Sequence, residues 1–356
     1  MSTTTVAPAT GSGGAPGSLE LTGQKLSKTT LAVIGAGAIA ATILLYLVAP
    51  IDSRAQFVLI AGGFYLIGQT GASVMVEGPR KAVDRFVTTL VYLAFLLALI
   101  PLVAVLASVI AKGAQRIDYD FLTRSMRNIG ARDAGGGIYH ALIGTLEQIA
   151  LASLFAVPFS MLVAIYLIEY GRGRISRTIS FFVDVLTGLP SVIAGLFILA
   201  FYILALNQKP SGFAGALALT ILMIPIVVRS TEEMLKLVPN ELREASYALG
   251  VTRWRTILKI VVPTALPGIV TGIMLAVARV AGETAPLLLT IFGTDSINLN
   301  PFSGPQSALP LYIYSQAGAP QQAAVNRAWA AALTLIVLVM LLNAVARLVT
   351  RFTRVR

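Results

Sequence analysis

Residues 240–263 read NELREASYALGVTRWRTILKIVVP. The stretch is polar and charged, a glycine sits near its middle, and long apolar segments flank it on both sides. Asn240 after Pro239 makes a good N-cap, and Glu241 and Glu244 suit the first turn of a helix. Leu242, Ala245 and Leu249 fall on one face of that helix. Gly250 fits the left-handed position that ends it. Thr252 can cap a second helix with Trp254, Ile257, Leu258 and Val261 as its apolar stripe. Pro263 and Pro267 then mark entry into the next apolar segment. The stretch therefore predicts two short helices at an angle, whose apolar faces are too large to leave in water.

The surrounding chain is built for lipid. Of its 356 residues 56% are hydrophobic and only 12% are charged, about half the charged fraction of a soluble domain. Apolar blocks fall at about 29–49, 56–76, 86–111, 141–168, 179–206, 212–228, 264–292 and 328–350. Blocks of roughly 20 apolar residues read as membrane spans. A soluble protein with buried core helices would need polar faces that these blocks lack. The expectation is an all-α polytopic membrane protein with about eight transmembrane helices. Residues 1–24, rich in Gly, Ser, Thr, Pro and Ala, read as a disordered tail. They do not read as a secretory signal peptide, because no basic start leads directly into a short apolar core.

Eight spans put both termini on one side. With the N-terminus inside, 18 of the 27 Lys and Arg lie on inner segments and 8 on outer ones, with Arg279 left inside a span. The positive-inside rule then predicts cytoplasmic N- and C-termini. Residues 240–263 fall in the cytoplasm. The 112–139 loop falls outside, despite holding five of the eight outer basic residues.

Several classes are excluded. The chain has no cysteine and one histidine, His140, which ends any His/Cys metal site. His140 reads as an interfacial side chain. No G-x-x-x-x-G-K-[ST] phosphate loop and no G-x-S-x-G elbow occurs. No paired intramembrane aspartates stand in for them, so a non-catalytic chain without cofactor or metal is expected. Basic loops beside a bilayer account for the net charge of +11, so no nucleic-acid partner is expected.

Charges at bilayer depth cost at least roughly 2.5 kcal/mol each and mark candidate sites. Arg279 and Glu283 are four apart, hence on one helix face. Gly268, Gly272 and Ala276 lie near that face and permit close packing. Pro286 cannot donate to the Gly282 carbonyl, so a distortion is expected beside Glu283. A similar break is expected at Gly188-Leu189-Pro190-Ser191. Arg279, Glu283, Thr284 and Ser191 are the candidate substrate-pathway residues. The competing reading makes Arg279 and Glu283 an ion pair that locks packing. Glu169 and Asp184 read as structural groups near the inner interface, and Glu147 as a buried acid in need of a partner.

The spacing in the opening stretch is Glu244-Ala245-Ser246, three residues, Gly250, nine residues, Ile260, one residue, Val262-Pro263. It resembles the E-A-A loop of ABC-transporter permeases, departing at Ser246 and Val262. In that family the loop, here about 231–263, sits in a groove on the ATP-binding subunit. The resemblance implies that Glu244, Ala245, Ser246, Gly250, Trp254, Ile260 and Pro263 serve ATPase coupling. GGGIYHALIGTLEQIALASLFAVPFSMLVAIYLIEYG (135–171), LTGLPSVIAGLF (186–197) and ARVAGETAPLLLT (278–290) resemble the PstA-type permease of the phosphate-specific transport system. That resemblance covers about 83–356 and implies a type I ABC importer core of six helices. Two extra N-terminal helices, at 25–82, lie outside its pattern. It also implies a bacterial cell membrane, inorganic phosphate as substrate, a PstC-type permease, a PstB-type ATPase dimer and an extracytoplasmic phosphate-binding protein. The alternatives left open are a permease for another oxyanion, such as molybdate or sulfate, and an ion-coupled secondary transporter that needs no ATPase.

Overall fold

The computed structural model describes residues 26–48, 53–130 and 132–353. The expected tail at 1–24 lies outside the described residues. Among those described there is no strand, only an isolated bridge between Phe292 and Gln306. Seven helices are long and apolar enough to cross a bilayer, and a bent pair makes an eighth if it is one span.

Two compact units divide the chain at Ala104/Val105. In the first, α1 (Lys28–Val48) packs on α2 (Arg54–Glu77), with Gly68 facing the Ile34 side chain. Gly78 takes φ +88° at the turn into α3 (Pro79–Gly113), which runs on past the division. Glu77 closes that turn. Its carboxylate pairs with Arg85 and accepts from Ser73 and the Leu26 amide. A charge at a helix end is tolerated there because every oxygen has a donor.

The second unit is built on α8 (Gly212–Lys236), 67% of whose apolar window is buried. The small residues Ala214, Gly215, Ala216 and Ala218 let neighbours close on it. It packs against α5 (Tyr139–Ile165) and α11 (Val262–Ala281). Leu219, Met223 and Val227 fill the seam with Ile149, Ala276 and Val280. Water drives no such packing in lipid, so close contact between helices must supply the attraction. The face of α11 expected to pack does so, since a Cβ on Gly268 would meet Met234 of α8 and one on Gly272 would meet Ser230.

Around this seam lie α6 (Arg174–Gly188), α7 (Ser191–Ile198), the short α12 (Ala285–Thr290), α13 (Leu309–Ala317) and α14 (Gln322–Thr353). The loop after α3 carries α4 (Tyr119–Thr123), capped by Asp118. The Phe121 amide and then Arg116 hold that carboxyl below the usual carboxylate range. Phe121, Met126 and Ile138 pack with Leu309, Tyr312 and Ala330. Arg327, fully buried, donates to the Asp133 and Gly135 carbonyls and to Gln316, which fixes the loop on α14. His140 is not interfacial. It is 2% exposed at the start of α5 and stands edge-on to Tyr312. Its neighbour in sequence, Ala141, is part of the same loop-covered cluster, and that cover keeps the imidazole from the interface.

Candidate functional site

The fifth apolar block breaks where proline chemistry demands. Leu189 is pushed to an extended conformation (φ −72°, ψ 131°) by the ring of Pro190, which itself opens α7. The result is a bend of 105° between Arg174–Gly188 and Ser191–Ala205, far larger than a proline kink.

The seventh block is not one helix. Trp254 onward runs unbroken as α10 (Arg253–Thr256), a π turn at Ile257–Val261 and α11, so the span begins at Arg253 and ends at Ala281. The Gly282 and Glu283 amides close onto the Arg279 and Val280 carbonyls in tight final turns. Pro286 then sits in the first turn of α12, which lies on α7 at Gly195. A Cβ on Gly195 would come within 2.7 Å of Pro286 Cα, so only glycine admits this approach.

These two breaks face one cavity of about 200 Å³, lined by Ser191, Arg279 and Glu283 with Thr187, Pro190 and Pro225 among their neighbours. Thr284 is half-buried at the start of α12 and does not line it. Thr187 and Pro225 were not singled out in the sequence. A polar residue one turn before a helix break was the available signal for Thr187. Pro225 leaves the Ile221 carbonyl without its helical donor.

Among the described residues, Arg279 and Glu283 make no ion pair and their side chains carry no hydrogen bond. The one-face argument fails because α11 stops at Ala281, which leaves Glu283 outside the helix that would have carried it under Arg279. The cavity thus presents a cation and an anion separately, with a hydroxyl and helix-break backbone beside them. Glu147 has its partner in Gln306, which donates to it at 2.6 Å, while Gln148 donates to Gln306. This chain of side chains fastens the 291–308 segment to α5. Asp184 pairs with Arg229, which also holds Glu232.

The second candidate element is the bend at 240–263. Helix α9 (Asn240–Ala248) has Pro239 at its cap position, with Asn240 as its first residue, so the helix starts one residue earlier than expected. Gly250 has φ +74°, the left-handed conformation its position predicts. Glu244, Ala245, Gly250, Trp254 and Pro263 are exposed and Ile260 is half-buried. Ser246 is buried, and its hydroxyl meets that of Thr256 at 2.8 Å. The expected stripe splits. Ile257 and Val261 are buried, whereas Trp254 and Leu258 stay exposed with Leu249 at 82%. The split follows from the second arm being continuous with the span, so its inner face packs on the bundle. Thr252 starts α10 without a side-chain cap bond. The outward apolar set, Leu242, Tyr247, Leu249, Trp254 and Leu258, is an unusual amount of greasy surface for a charged loop.

Comparison with known proteins agrees with the residues. The family described as binding-protein-dependent transport system inner membrane component matches residues 156–355. The phosphate transport system permease protein PstA 1 of Mycobacterium tuberculosis (strain CDC 1551 / Oshkosh) is 49% identical over 78% of this chain and 91% of its own length. The PstA protein of Mycobacterium leprae is 47% identical over 74% of this chain and 87% of its own. That of Pasteurella multocida is 38% identical over 76% and 95%. A break-lined cavity, an exposed helix–glycine–helix bend and this degree of identity lead to one statement: the chain belongs to the binding-protein-dependent transport system inner-membrane components, among the PstA-type permeases.

Proposed function

We propose that this chain is the permease subunit of an ABC importer for inorganic phosphate. The observation that carries the reading is Arg279, without an ion-pair partner among the described residues, facing a cavity between two helix breaks in a chain 49% identical to a phosphate permease. A guanidinium offers a planar, permanently charged fork that fits phosphate oxygens. Glu283 across the same cavity limits how tightly an anion is retained, since conduction needs entry and release. The substrate crosses between this chain and a PstC-type permease. A PstB-type ATPase dimer takes the exposed bend into its groove, and an external phosphate-binding protein delivers the anion. The chain itself is non-catalytic and leaves ATP hydrolysis to its partners.

The test is a reconstituted four-component complex in lipid vesicles. Phosphate-loaded binding protein should stimulate ATP hydrolysis and drive phosphate inward, while sulfate and molybdate leave the rate at its basal value. Stimulation by either of those anions instead would reassign the substrate within the oxyanions. Transport that persists without any ATPase would remove the ABC reading.

The same reading places both termini in the cytoplasm and the 112–139 loop outside. Arg127 is exposed in that loop, and the chain has no native cysteine. Arg127→Cys should therefore react with an impermeant thiol reagent in intact spheroplasts. Labelling seen only after lysis would invert this topology.

A further inference from the structure

Both arms of the exposed bend grip one residue, Glu169, in the π turn (Tyr166–Tyr170) that ends α5. Its side chain is 4% exposed. One carboxylate oxygen accepts from Arg243 Nη2 at 2.9 Å and Nε at 3.1 Å. The same guanidinium donates to the carbonyls of Val238 at 2.6 Å and Leu235 at 3.0 Å. Arg243 thus joins α9, the end of α8 and the end of α5. From the other arm, Arg253 donates to the Glu169 backbone carbonyl and lies over the Tyr170 ring at 4.8 Å. The buried Ser246–Thr256 bond closes the two arms on each other.

This joint does work that packing does not. Helix α9 buries a single residue, Ser246, so apolar contact cannot hold it rigidly to the bundle. A buried ion pair is a poor source of stability, because desolvation cancels most of its attraction. It is a good source of fixed geometry, since a planar guanidinium with five donors constrains direction as well as distance. Helix α5 in turn packs along α8, which supplies Leu222, Pro225 and Ile226 to the cavity. A continuous path of hydrogen-bonded and packed groups therefore runs from the bend through Glu169 and α5 to α8 and Arg279.

We propose that Glu169 is the joint through which movement of the ATPase-facing bend turns α5, a positioning residue on which coupling of ATP hydrolysis to the cavity depends. The proposal rests on the permease reading above. It separates coupling from docking, because Glu169 is buried and offers the ATPase no surface.

The experiment uses the complete complex with its binding protein in lipid vesicles. For Glu169→Gln, the ATPase co-purifies at unmodified yield and basal hydrolysis persists. Stimulation by phosphate-loaded binding protein drops ~10-fold, the scale of a lost charge-assisted hydrogen bond, and phosphate moved per ATP drops with it. Glu169→Asp recovers part of the stimulation. An unchanged stimulation ratio in Glu169→Gln overturns the proposal. So does a parallel fall of basal and stimulated rates in an assembled complex. If Glu169→Gln fails to assemble, Arg253→Met decides, because losing that exposed residue removes a carbonyl's donor and the contact over Tyr170 but leaves no buried charge unpaired. Retained stimulation there overturns the proposal, and lost stimulation in an assembled complex upholds it. An unmodified complex that phosphate-loaded binding protein does not stimulate removes the permease reading itself, and that outcome is recognisable before any variant is made.

Discussion

Arg279→Gln cuts phosphate uptake severely while the complex still assembles and hydrolyses ATP. The side chain reaches the cavity without an ion pair or hydrogen bond to any described residue, so its loss breaks no polar contact with them. What it removes is the positive field an anion meets between the two helix breaks. Hydrogen bonds to charged groups contribute roughly 1.5–3 kcal/mol, which sets a fall in uptake of about 10- to 100-fold. Glu283→Gln acts in the opposite sense: with the anion's repulsion gone, phosphate is held longer and turnover slows. A purely packing role for the two charges makes different demands. It requires each single change to reduce complex yield, and it requires the swap, Arg279→Glu with Glu283→Arg, to restore transport. Because α11 ends at Ala281 and the two groups are not paired, the swap should leave uptake near zero. Measuring uptake and yield for the three variants decides it, and recovered uptake in the swap would sink the anion-facing role.

How far the sequence reaches depends on whether the cause is local. The break at Leu189–Pro190 is visible in sequence because proline acts on its own residue and the one before it. The left-handed Gly250 is visible for the same reason. The size of the first bend, 105°, is not, since α7 beyond it seats on α12 at Gly195, some 90 residues from Pro286. The end of α11 shows the limit most clearly. Arg279 and Glu283 are four apart and read as one face only while the helix continues, and the turn at Gly282 cancels that inference. Glu147 advertises its need for a partner but not that Gln306, far along the chain, supplies it. Ser246 looks like a mild departure from a motif. Its hydroxyl in fact closes the bend onto Thr256, a contact that exists only once both arms are folded. His140 misleads because a lone polar side chain at the start of an apolar block suits an interface, whereas the loop after α3 covers it.

Gly250→Val should leave the chain in the membrane at normal level and reduce ATPase capture about tenfold, the consequence of roughly 1–2 kcal/mol of left-handed backbone strain. The position makes the test clean. A Cβ there meets no atom within 4 Å, so the substitution causes no collision and acts only through φ, which is +74° in the folded bend. To relieve the strain the turn must open, and opening rotates α9 against α10. That rotation breaks up the outward apolar set in which Leu249 and Trp254 lie on opposite sides of the glycine. The buried Ser246–Thr256 bond and the Arg243 grip on Glu169 resist the opening, so strain appears as a population of misaligned bends rather than as unfolding. Asparagine tolerates the left-handed region far better than a β-branched residue. Gly250→Asn should therefore restore most of the capture, although it adds more polar bulk to the surface than valine does. Equal capture by the glycine and valine forms in a pull-down would show that the bend does not dock the ATPase. Equal losses for valine and asparagine would show that the ATPase reads the surface at residue 250 itself rather than the turn it makes.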